Sequence, residues 1–158
     1  MQIIRNVEMF SLGAEGVVIR YGSSNNLFQN CYIHNTGIHS VQYGDAFDIG
    51  IHHQEKTTAS DHIAENNIIE GCIFRNISSL PIRIREYANG NEVVNSVFYG
   101  DGINGKNGAN YFISISGSDN YIHNNVAHRK VNKNIVAAFA IKKVFEDTGD
   151  GNKFENNI

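Results

Sequence analysis

The sequence contains no tryptophan, a single proline, only two cysteines and no long apolar run. Two cysteines, Cys31 and Cys72, are too few for a disulfide scaffold or a zinc site. No stretch approaches the roughly 18 apolar residues a membrane-spanning helix needs, so no membrane partner is expected. Met1 leads straight into patterned sequence, with no signal peptide in view. Lysine and arginine are not in excess, and the net charge of −3 argues against nucleic acid as the main partner. Charged residues make up 18% of the chain, below the usual quarter or so, which excludes a disordered polyelectrolyte.

What is abundant is asparagine, with 22 residues, and glycine, with 15. Both tolerate the left-handed backbone of tight turns. The asparagines belong to a recurring phrase of amide, any, apolar, any, amide or Gly. It occurs at Gln2–Asn6, Asn26–Asn30, Asn67–Gly71, Asn91–Asn95, Asn120–Asn124 and Asn152–Asn156, in steps of 24, 41, 24, 29 and 32 residues. Periods of about 20 to 50 residues mark stacked repeat architectures.

Between phrases lie short β-rich runs and turn residues, without competing helical periodicity. Strands are expected at Val17–Tyr21, Ile38–Tyr43, Pro81–Tyr87 and Phe112–Ser116, and an apolar run spans Ile135–Ile141. The step of 41 exceeds 24 by 17, and the excess lies in an insertion over 44–61. Insertions in arrays map to loops on one face, often the binding face. Ile69 and Ile73 are expected to point inward around the Gly71 bend.

Stacked coils would pair these strands in parallel. Ile4, Phe28, Ile69, Val93, Ile122 and Phe154 would form one internal column. Asn6, Asn30, Asn95, Asn124 and Asn156 would form a hydrogen-bonded ladder at the bend, interrupted by Gly71. The phrases and the asparagine column resemble the right-handed parallel β-helix of the pectate-lyase-like superfamily, over essentially the whole chain. The expected fold is therefore all-β: one right-handed, single-stranded parallel β-helix of five to six coils over 1–158. The chain begins and ends inside a phrase without capping helices, so it reads as a fragment of a longer solenoid whose ends pair with further coils or other chains.

The fold hosts many activities, so the function must come from residues. Strand alternation puts Ile82 and Ile84 on one face and Arg83 and Arg85 on the other. Arg20, Arg85 and Ser114 each lie six residues before the next phrase, which predicts one shared outward row. Guanidinium groups there would hold the carboxylates of an acidic sugar polymer. The bland alternative is an arginine ladder paired with Glu86 or Glu15. The insertion supplies Asp45, Asp48, His52, His53, Glu55 and Lys56. Asp48 and His52 face away from Phe47 and Ile49, and a histidine near a carboxylate is a candidate acid or base. By resemblance, Arg83 or Arg85 would be the base or the carboxylate clamp of a polysaccharide lyase, and Ca²⁺ is a conceivable cofactor. A full set of oxygen ligands for it is not evident, and no metal residues are assigned. The Asn-Thr-Asp, Asp-Asp and Gly-His-Gly elements of polygalacturonases are missing, as is the His-Asp-rich signature of pectin lyases.

The resulting expectation is a secreted, cell-surface or virion domain that binds an acidic polysaccharide and cleaves it by β-elimination. Arg83, Arg85 and His53 are the catalytic candidates, and Arg20, Asp48, His52 and Ser114 the substrate-binding ones. The other reading is a non-catalytic glycan-binding or structural β-helix, like a tailspike or adhesin segment. Cys31 and Cys72 occupy equivalent places in their phrases and are expected to be stacked free thiols.

Overall fold

The computed structural model describes residues 1–39, 43–50, 63–103, 110–128, 135–142 and 148–158. Each turn of the chain contributes three short strands. The first coil has β1 (Ile3–Arg5), β2 (Glu8–Phe10) and β3 (Val17–Ile19). The second has β4 (Leu27–Gln29), β5 (Tyr32–Thr36) and β6 (Phe47–Ile49), and the third β7 (Ile68–Glu70), β8 (Ile73–Ile77) and β9 (Ile82–Ile84). The fourth has β10 (Glu92–Val94), β11 (Val97–Tyr99) and β12 (Ile113–Ile115), and the fifth β13 (Tyr121–His123), β14 (Val126–His128) and β15 (Phe139–Ile141). A sixth opens with β16 (Lys153–Glu155).

All pairings are parallel and join each strand to its counterpart one coil away. One sheet runs β1-β4-β7-β10-β13-β16, a second β2-β5-β8-β11-β14 and a third β3-β6-β9-β12-β15. This is a parallel β-helix with the number of coils expected from the repeated phrase. The register stacks Ile4, Phe28, Ile69, Val93, Ile122 and Phe154 into the expected internal column. Phe47, Phe74, Phe98 and Phe112 fill the interior, with Phe74 and Phe98 stacked at 4.8 Å between ring centroids.

The amide ladder stands at the first residue of the phrase rather than the last. Asn26, Asn67, Asn91 and Asn120 each donate both the backbone N–H and the side-chain amide to the Oδ1 of the asparagine one coil on, at 2.9–3.2 Å. The fifth position is exposed and is set by backbone conformation. Asn6, Asn30, Gly71, Asn95, Asn124 and Asn156 all have φ between 52 and 61°, the left-handed region that asparagine and glycine populate most readily. Gly71 thus continues this column instead of breaking it.

That left-handed residue resets the inward-outward alternation. Past it, Cys72 and Phe74 point inward, and Ile73, expected inside, is 41% exposed. Cys31 and Cys72 are buried free thiols in adjacent coils, as expected. Of the expected Ile38–Tyr43 strand, the described residues 38, 39 and 43 form no strand, and Ile38 is exposed.

Candidate active site

The outer face of the third sheet brings the charged candidates together. Because Phe47, Ile49, Ile82, Ile84, Ile113 and Ile115 point inward and are fully buried, the residues between them face out. One outer row is Val18, Asp48, Arg83, Ser114 and Ala140. Backbone bonds just beyond the strands extend the register to a second row: Arg20, Gly50, Arg85, Ser116 and Lys142. Arg20 and Arg85 therefore share a row as expected, but Ser114 stands beside Arg83 instead. Seven residues link β3 to β4 and β9 to β10, whereas 116–120 link β12 to β13. Counting back from the next phrase misplaces Ser114 by those two residues.

Arginines and aspartates that looked like separate clusters form one network. Asp45, just before β6, accepts from Arg83 Nε at 2.6 Å and Nη2 at 3.3 Å, and from the Leu80 backbone N–H at 2.9 Å. Asp48 accepts from Arg85 through both Nε and Nη2, and from Arg20 Nη2 at 2.7 Å. Neither Glu86 nor Glu15 makes the ion pairs of Arg83 and Arg85; Asp45 and Asp48 do. Burial alone would weaken the hold of Arg83 on its proton. The charge and hydrogen bonds of Asp45, then Asp48 and Glu15, overcome this and raise its pKa. The Arg20, Arg83 and Arg85 side chains remain 23%, 25% and 10% exposed, so each still reaches the surface.

Gly50 lies between Arg20 and Arg85 with φ of +98°, and a Cβ there would stand 2.9 Å from the Ala88 Cβ and 3.1 Å from the Arg85 Cβ. The absent side chain lets the Arg85 and Ala88 Cβ atoms of the third coil pack close against the second.

Toward the fifth coil the face changes character. Ser114 and Ser116, short and buried, lie between the arginines and Lys142 on this face. The exposed Lys142 places Nζ 5.5 Å from the centre of the Tyr111 ring. Its pKa is lowered, first by partial removal from water and then by the positive charge of Arg83, against the opposing effect of Glu86. Lys142 was missed in the sequence because it closes an apolar run in a coil with no recognisable site motif. Tyr111 is one of seven tyrosines, and no motif sets it apart.

His52 and His53, with Glu55 and Lys56, lie outside the described residues. Among the described residues no three His, Cys, Asp or Glu side chains are grouped to hold a metal ion. Asp45 and Asp48 would have to release guanidinium partners to serve as Ca²⁺ ligands, so the described residues do not fit that ion.

The parallel β-helix, with arginines and a lysine along one outer face, is a fold shared with a polysaccharide lyase. In particular, the chain is similar to the crystal structure of an alginate lyase from Paenibacillus sp. str. FPU-7, with a TM-score of 0.94 and 35% sequence identity. The match covers 98% of this chain and 52% of that one, so the chain spans about half the length of that enzyme. No protein-family model and no curated protein matches the chain.

Proposed function

We propose that this chain forms the catalytic face of an extracellular lyase that cleaves a uronate polymer, alginate foremost, by β-elimination. The observation that carries the reading is a lysine with a lowered pKa beside a tyrosine, on the same outer face as two ion-paired arginines. Elimination needs three things: neutralisation of the uronate carboxylate, a base for the proton on C5, and a proton for the departing C4 oxygen. Arg83 and Arg85 are fixed by their aspartates and hold their charge, which suits the carboxylate clamp and not the base. Neutralising the carboxylate acidifies the neighbouring C5–H. Lys142 in its neutral form removes that proton, the electron pair forms the C4–C5 double bond, and the C4–O bond breaks. The Tyr111 hydroxyl protonates the leaving oxygen.

The test is absorbance of the unsaturated product on alginate, pectate, hyaluronan and chondroitin. Lys142→Ala should lower kcat on the preferred polymer by about a hundredfold or more, and Tyr111→Phe should lower it while keeping the ring against Lys142. Flat traces from the unmodified protein on every polymer would instead leave a non-catalytic glycan-binding solenoid.

A further inference from the structure

We infer that this site eliminates in the syn sense, so that it cleaves at mannuronate, whose C5 hydrogen and C4 oxygen lie on one side of the ring, and spares guluronate and galacturonate. The inference rests on the proposed reaction for the roles of Lys142 and Tyr111. It adds the stereochemical class of uronate that this pair can process.

Lys142 ends the second outer row, one strand beyond Ser116. Tyr111 lies just before β12, next to the inward-facing Phe112. The Lys142 Nζ stands over the Tyr111 ring, 5.5 Å from its centre. A sugar lodged between them would need contact distances of about 3.5–4 Å on each side, about 7 Å or more together. The gap is too narrow, so a bound sugar meets both groups from one side. Arg83 and Arg85 rise from the same sheet face and meet the carboxylate from that side too.

A base and an acid on one side of the sugar decide which uronates can react. The base must come within hydrogen-bond reach of the C5 hydrogen, and the acid within reach of the C4 oxygen. In mannuronate both atoms lie on the same side. Guluronate is its C5 epimer, so the hydrogen lies opposite the oxygen. In galacturonate the C4 oxygen is inverted instead, with the same result. With either of these, Lys142 and Tyr111 could not both reach their atoms. For mannuronate the step balances within the pair. Lys142 takes the C5 proton, the C–H electron pair becomes the C4–C5 double bond, and Tyr111 gives its proton to the C4 oxygen as it leaves. The resulting ammonium and phenolate are neighbours, and transfer of one proton from the first to the second restores both.

Initial rates of the unmodified protein on poly-mannuronate, poly-guluronate and pectate test the inference, read from absorbance of the unsaturated product. Poly-mannuronate should be cleaved at least about a hundredfold faster than the other two, the loss expected when one member of an acid–base pair cannot act. Poly-guluronate should still occupy the carboxylate-binding arginines and inhibit cleavage of poly-mannuronate, so that the selectivity lies in kcat. Cleavage of poly-guluronate or pectate at a rate comparable with poly-mannuronate would overturn the inference and leave the elimination reading standing. Poly-guluronate that neither reacts nor inhibits would also overturn it, because the discrimination would then lie in recognition and not in the placing of acid and base. Flat traces on every polymer would refute elimination itself and, with it, the stereochemical class.

Discussion

Lys142 is the residue whose chemistry is most exposed to test. A base must be unprotonated, and the Lys142 pKa lies below the ordinary lysine value. Elimination should therefore rise with pH along a limb whose midpoint is below about 10.5. The neighbours set the direction of further shifts. Arg83 lowers this pKa and Glu86 raises it. In pH–rate profiles, Arg83→Gln should move the rising limb to higher pH, and Glu86→Gln should move it to lower pH. Opposite shifts, or none, would show that another group is the base. Asp48 gives a stability prediction at the same scale. It is fully buried and joins two guanidinium groups, and Asp48→Ala would leave both without it. A destabilisation of about 3 kcal/mol is expected in urea unfolding. The acids and arginines of this network stood out in the sequence, but their pairing did not. Asp45 and Arg83 are 38 residues apart, and only the stacking register brings them together.

At the scale of the element, the repeated phrase sorts its two asparagines into different tasks. The first supplies acceptors and donors in the buried corner; the fifth supplies a left-handed bend. Asn91 is buried and accepts from both the backbone N–H and the side-chain amide of Asn67, while its own amide donates to Ala64 O. Asn91→Ala should cost about 3 kcal/mol, because the Asn67 donors lose their acceptor inside the fold. Gly71→Asn should change stability by less than about 0.5 kcal/mol. A Cβ at Gly71 would approach only the end of the Asn30 side chain, at 2.6 Å, and five of its column neighbours are already asparagine. Thermal unfolding of the two variants separates the tasks. The phrase revealed the sheet register because spacing alone specifies it. Which asparagine carries the ladder depends on backbone handedness at the bend, which also reversed the expected orientation of Ile73. Neither is visible in a pattern of amide and apolar letters.

Over the whole molecule, each coil contacts its neighbours, and burial grades along the axis. Ile69, Phe74, Ile82, Val93, Phe98 and Ile113 in the third and fourth coils are fully buried. Their counterparts Ile4, Met9 and Val17 in the first coil, and Phe139 and Phe154 toward the other end, are only partly buried. In a stacked array, stability is close to a sum of nearest-neighbour terms, so coils with one neighbour open first. Hydrogen exchange should be slowest for amides of β7 to β12 and fastest for those of β1 to β3, β15 and β16. Uniform protection across all coils would mean that the array unfolds as a single cooperative unit.

Cys72 provides a chemical probe of that behaviour, because it sits in the third coil, where the gradient predicts slow opening. It is buried, and burial above all pushes its thiol up to about 12. The thiolate is the reactive form, so near neutral pH two obstacles, inaccessibility and protonation, must be removed together. For Cys72, opening of the second and third coils removes both, whereas fraying of the first coil or the sixth removes neither; Cys31, whose Sγ lies against Ile4 O, is uncovered when the first coil frays. Labelling of Cys72 by a thiol-reactive disulfide should therefore be negligible in native buffer. Its rate should climb with urea in step with exchange of the β7 and β8 amides, not with that of β1 or β16. Fast labelling of Cys72 in native buffer would show that the second and third coils separate far more readily than their buried contacts imply, and with them the Asp48 carboxylate and the Arg85 guanidinium of the candidate site.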